Sequence, residues 1–149
     1  MLGIQEISDR LEIQEMLVAY ATAIDRKDFD ALDRIFTEDA HIDYTAFGAI
    51  AGTRAEMKEF LASSMAQLTA CQHLMANPEI HFDGDRATGR VMCYNALGFP
   101  TGDGDSQIAL LGMWYIDEYI RTSAGWRISR RNQERSWTKG FGDALGDTH

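Results

Sequence analysis

The stretch "CQHLMANPEIH" places His73 between Cys71 and Met75 at every second residue. That is the period of a strand, and it sets an imidazole on an apolar face. A histidine there is either a core residue with a partner or a base in a pocket. Asp25, in "YATAIDRKD", is the best partner the sequence offers. It ends a helical pattern, where the backbone dipole is already negative and a carboxylate is unfavourable. Arg26 and Lys27 can offset that cost, so a loop-capping role is the plain alternative. The chemical alternative is that the carboxylate holds an imidazole. Accepting from Nδ1–H fixes the tautomer, leaves Nε2 as a base and stabilises the imidazolium that forms on proton abstraction.

Other polar residues suit the same pocket. Tyr44 closes a short strand, Asn95 interrupts the apolar run 91–97, and Tyr20 lies between one and two helical turns before Asp25. Arg131 falls in the last strand, in "SRRNQ". Strand alternation allows only one of Arg130 and Arg131 to face inward. Tyr20 and Tyr44 also read as core aromatics with a wet tip, and Arg131 as a sheet-surface charge. His41 and His81 rank lower, and His149 is in the tail. No HExxH, Gly-rich phosphate loop or GxSxG occurs. "TGDGDS" lacks the spacing and closing Glu of a calcium loop and reads as a turn.

The elements that would position these residues follow from periodicity. Residues 5–25 read as a helix, and "RKDFDALDRIF" as a shorter one with Asp28 as N-cap. "AHIDYTAF" (40–47) reads as a short strand. Thr53 and Glu56 have capping-box spacing and open a third helix with Met57, Phe60, Leu61, Ser64 and Leu68 on one stripe. Four long strands follow, over 71–82, 86–98, 106–121 and 126–137. Pro78 forces a bulge or an edge in the first, and Asp83-Gly84 signals a hairpin. In 106–121, Ile108, Leu110, Trp114 and Ile116 share a face. Helices first and antiparallel strands after imply an α+β fold over a single domain, 1–149, with a loose tail from about 143.

Composition narrows the function. The 149 residues carry a formal net charge of −9, with 45% hydrophobic and 25% charged residues. That suits a globular chain and argues against a nucleic-acid partner or an anionic membrane surface. Cys71 and Cys93 form no zinc pattern and read as reduced core thiols of a cytoplasmic protein. The first residues lack a signal-peptide pattern, and no run reaches the roughly 18–20 apolar residues of a membrane span.

"LVAYATAIDRKDFDALDRIFTEDAHIDY", "QHLMANPEIHFDGDRATGRVMC" and "IDEYIRTSAGWRISRRN" resemble the SnoaL-like group of the nuclear transport factor 2-like superfamily, over about residues 5–138. The resemblance implies a cone-shaped, strongly curved antiparallel sheet closed by three N-terminal helices around a pocket. Two kinds of lyase in the group look similar. Scytalone dehydratases carry "YDxKDWDxL" and a later "QH", and hexachlorocyclohexane dehydrochlorinases carry "DEYxRxxGxWxxSxRN". Both use an Asp–His dyad, which falls on Asp25 and His73. Tyr44 and Arg131 match pocket residues of the dehydratase and the dehydrochlorinase respectively. Ile24, Asn95 and Tyr20 depart from them: the dehydratase has a tyrosine and a histidine at the first two positions, and the dehydrochlorinase a lysine at the third.

The resemblance therefore implies a lyase, with dehydration the best fit. His73 oriented by Asp25 would abstract a proton, and Tyr44, Tyr20 or Asn95 would hold a substrate oxygen. Met75, Phe47, Trp114 and Phe99 could line an apolar cavity for a small cyclic or aromatic substrate. No metal or organic cofactor is required. An isomerase or polyketide cyclase with the same base, or a non-catalytic binding or structural subunit, are the alternatives. The related lyases imply a homotrimer, with a dimer as the alternative, through a sheet face bearing Trp114, Trp126 and Trp137.

Overall fold

The computed structural model describes residues 1–141; the expected loose tail lies outside the described residues. Helix α1 (Ile4–Asp25) buries Ile13, Leu17, Tyr20 and Ile24 at three- and four-residue steps. Asp28 caps the next segment as expected, accepting from the Ala31 N–H at 3.3 Å. That segment, Phe29–Arg34, is a six-residue 3₁₀ helix rather than an α-helix. Strand β1 (Phe36–Asp43) starts four residues earlier than its sequence pattern, and a 3₁₀ turn (Thr45–Phe47) replaces its expected end. A three-residue strand, β2 (Ala51–Thr53), leads into α2 (Arg54–Ser64). The Thr53–Glu56 capping box is formed in both directions.

The long strands are β3 (Ala70–Asp83), β4 (Arg86–Pro100), β5 (Ser106–Thr122) and β6 (Gly125–Lys139). The sheet order is β2-β1-β6-β5-β4-β3. All pairs are antiparallel except β1 with β6, which run parallel. The fold is thus the expected α+β arrangement, a curved six-stranded sheet with helices on one face, and the sheet does not close into a barrel. Pro78 sits in a break of register between Ala76 and Glu79, where Asn77 takes a left-handed φ of 48°. Gly84 turns the following hairpin at φ 59°, a conformation that suits glycine.

Both faces of β5 are apolar, so alternation alone does not say which one is inside. The buried set is Ala109, Leu111, Met113, Tyr115 and Tyr119. Trp114 is on the opposite, outer face, where the Arg90 guanidinium lies 3.5 Å from its ring centroid. Trp126 is also misplaced by the sequence reading. It is buried against α1, with its N–H donated to Asp9 at 3.1 Å, and is unavailable to an outer interface. No described helix is long and apolar enough to cross a membrane.

Candidate active site

Asp25 is the last residue of α1. The chain leaves the helix there through Lys27, a non-glycine residue at φ 57°. The Asp28 N–H returns to the Ala23 carbonyl at 2.8 Å, which fixes the exit. This holds the Asp25 carboxylate against β3. One oxygen accepts from the His73 backbone N–H at 3.0 Å, and the other lies 2.7 Å from His73 Nδ1. The same carboxylate therefore fixes both the strand position and the ring. An ionised Asp25 can only accept, so Nδ1 carries the proton and Nε2 presents its lone pair. Among the described residues, none hydrogen-bonds Nε2.

Burial pushes the Asp25 carboxyl up, but the two His73 hydrogen bonds outweigh it and hold the group below the usual carboxylate range. The His73 side chain is 4% exposed and that of Asp25 24%. Cys71 completes this corner. Its thiol donates to Asp25 at 3.5 Å and lies 3.8 Å from Nδ1. Burial, reinforced by the negative Asp25, pushes that thiol up to about 12. It is not an activated nucleophile.

The His73 ring borders a cavity of about 250 Å3 that opens between the helices and the concave sheet face. Its floor holds three phenols. Tyr20 and Tyr44 share a hydrogen bond of 2.6 Å, and Tyr115 lies 3.4 Å from the Tyr20 oxygen. Burial raises all three phenols well above their ordinary value, so they remain protonated donors. Tyr20 also meets the His73 ring edge-on, with centroids 6.2 Å apart. The walls are apolar, from Phe47, Phe60, Leu97 and Phe99 among others. Two amide oxygens break that surface. Asn95 Oδ1 and Gln133 Oε1 are both buried without a hydrogen-bond partner in the structure. Buried polar atoms without partners are uncommon, and here both border a cavity.

Of the residues singled out from sequence, Asp25, His73, Tyr20, Tyr44, Asn95, Phe47 and Phe99 are brought together. Three are not. Trp114 is on the outer sheet face. Met75 shares the inward row of Cys71 and His73 but packs into the hydrophobic core rather than onto the cavity. Arg131 faces inward and Arg130 outward, yet Arg131 lies behind the phenols. Its guanidinium makes two bonds of 2.7 Å to Asp117 and stacks 4.3 and 4.0 Å from the Tyr20 and Tyr115 centroids. A fully buried cation needs that anion, and its remaining role is to support the tyrosine cluster.

Sequence reasoning missed Tyr115 and Gln133. Gln133 was within reach of it, since it alternates with Arg131 along the last strand; Tyr115 was not, because its pairing with Gln133 joins strands whose register the sequence does not fix. The contribution of α2 was less legible. Phe60, Leu61, Ser64 and Met65 cover the cavity, but a helical stripe does not say whether it meets core or cavity.

The comparisons bear on the family and the fold. The SnoaL-like domain matches residues 5–132. An uncharacterized protein of Mycobacterium tuberculosis is 45% identical over 139 residues, covering 93% of each chain. A Novosphingobium aromaticivorans structure provisionally named an aromatic ring hydroxylase is 30% identical, with TM-score 0.80 over 94% of this chain and 98% of its own. A second structure from that organism, provisionally named a scytalone dehydratase, gives TM-score 0.79 at 20% identity over 91% and 89%. A hexachlorocyclohexane dehydrochlorinase gives 0.78 at 19% over 93% and 92%. These last two show the shared fold. With the domain match spanning most of its length, the chain belongs to the SnoaL-like family, on the nuclear transport factor 2-like fold.

Proposed function

We propose that the protein is a lyase, a cofactor-independent dehydratase of a small cyclic or aromatic carbonyl compound. The observation that carries this reading is the 2.7 Å contact from Asp25 to His73 Nδ1, with Nε2 unengaged beside an apolar cavity. At about 250 Å3 the cavity lies just below the range of about 300–1,000 Å3 usual for ligand sites, and suits one or two fused rings. The substrate carbonyl oxygen sits against the Tyr44–Tyr20 pair; one phenol donates to it while accepting from the other, and so stabilises the enolate as charge develops. His73 Nε2 takes the proton from the carbon next to the carbonyl. The enolate collapses to a double bond as the neighbouring C–O bond breaks. The imidazolium returns its proton to the departing hydroxide, releasing water and restoring the base. Asn95 and Gln133 offer their free amide oxygens to substrate hydroxyls, and the apolar walls exclude water.

Isomerisation or cyclisation by the same base begins with the same proton abstraction. The second reading is a ligand-binding or structural subunit without chemistry of its own. Incubation with a panel of hydroxylated cyclic and aryl ketones separates them. Dehydration gives water and a conjugated product, isomerisation a product of unchanged mass, and a binding subunit leaves every compound intact. The protein acts as a cytoplasmic homo-oligomer, a trimer, in this reading.

A further inference from the structure

Cys71 has no part in the proton transfer described above, yet it completes a set of three different donors. Asp25 Oδ1, Cys71 Sγ and His73 Nδ1 form the one group of metal-ligating atoms found among the described residues, all within 4.8 Å of one another. The separations are 3.5 Å from sulfur to oxygen, 3.8 Å from sulfur to nitrogen and 2.7 Å from nitrogen to oxygen. Zinc binds such atoms at roughly 2.0–2.3 Å, so tetrahedral geometry sets neighbouring ligand atoms about 3.3–3.7 Å apart. Two of the three edges already fit within about 0.1 Å of that range. The third must open by about 0.6 Å as the hydrogen bond gives way to the ion. Cys71 and Asp25 are only half-buried, which leaves room for water as the fourth ligand. The neighbouring cation, Lys27, is tied to the Leu68 carbonyl at 3.1 Å.

We propose that Asp25, Cys71 and His73 form a binding site for a thiophilic metal ion, zinc above all, and that its occupancy silences the His73 base. Binding displaces the thiol proton to solvent, forming the metal–sulfur bond. The metal takes the Nδ1 lone pair, so the imidazole proton moves from Nδ1 to Nε2. The nitrogen that faced the cavity as an acceptor becomes a donor and can no longer remove a proton. The binding half stands on the donor geometry alone; the silencing half rests on the reading of His73 as the base.

Cobalt(II) is the probe for binding. Added to the purified full chain it gives a near-ultraviolet thiolate-to-cobalt charge-transfer band, which stoichiometric zinc bleaches. The Cys71→Ser variant loses the band and at least about 100-fold in zinc affinity, while Cys93→Ser keeps both. A wild-type chain without the band at large molar excess of cobalt, or a Cys71→Ser chain that retains it, overturns the site. Silencing is read from proton exchange on a bound ketone, relative to each variant's own metal-free rate. Zinc abolishes it in the wild type and spares Cys71→Ser. A cobalt band without loss of exchange overturns the silencing. Absence of exchange in the metal-free chain counts against the dehydratase reading and leaves the metal site standing.

Discussion

Asp25 uses both carboxylate oxygens on a single residue, one on the His73 backbone and one on its ring. An aspartate at a helix C-terminus costs electrostatic energy, and these two bonds are its return. Asp25→Asn keeps the shape but cannot hold the ring as a charged acceptor, so turnover falls by about 10²–10⁴-fold. The same group shapes acid stability. Its folded-state pKa lies below the ordinary value, so the folded form binds the proton less readily than the unfolded one. Its stabilising contribution is complete above about pH 4 and is lost as pH falls through the lowered folded value. Denaturant titration of wild type and Asp25→Asn across that range shows it: the wild-type curve rises with pH and the variant's is flatter. Tyr44→Phe breaks the phenol pair and lowers turnover by about 10²-fold; the lost buried hydrogen bond to Tyr20 costs about 1 kcal/mol in the same denaturant titration. Asp25 and His73 were legible because unlike residue types stood where local physics disfavours them. Tyr115 looked like any core aromatic, and Cys71 like any core thiol, because their significance lies in neighbours distant in sequence.

At the scale of elements, what was legible was what is local. The Thr53–Glu56 box, the Asp28 cap, the Pro78 bulge and the Asp83-Gly84 hairpin each depend on residues within a few positions of one another. The parallel pairing of β1 with β6 joins residues about 90 positions apart, as in Ile42 opposite Arg131, and has no local signature. The inward face of β5 was illegible for a different reason, since both faces are apolar and only the packing of helices chooses between them. Arg131 and Asp117 lock β6 to β5 beneath the phenols, fully buried on both sides. Tyr119 adds a third bond to Asp117 at 2.9 Å. Asp117→Asn leaves a buried guanidinium uncompensated, so urea unfolding of the variant is expected to show a loss of about 3–5 kcal/mol. An unchanged midpoint would mean that water reaches Arg131 once its partner is gone.

Across the whole molecule, the sheet has two apolar faces with different fates. The concave one is filled by helices and the cavity. The outer one leaves Leu74, Tyr94, Ile108 and Leu110 at 60, 48, 50 and 38% exposure on three adjacent strands. Patches of this kind on soluble chains mark contact surfaces. We propose contact between copies there, without the buried Trp126 that the sequence pattern had included. Sedimentation velocity of Tyr94→Glu is expected to show a shift from trimer to monomer; a wild-type chain already monomeric contradicts it. The α+β order and the family were legible over nearly the full length, whereas the identity of the reaction depends on what the cavity admits. The account turns on His73 removing a carbon-bound proton. Exchange of that proton into deuterium oxide, followed by nuclear magnetic resonance on the panel of cyclic ketones, measures the step directly. The wild type is expected to exchange at least one ketone at the carbon beside its carbonyl, and His73→Gln to do so about 10²–10⁴-fold more slowly. Equal exchange by the two proteins, or none by the wild type, contradicts the account.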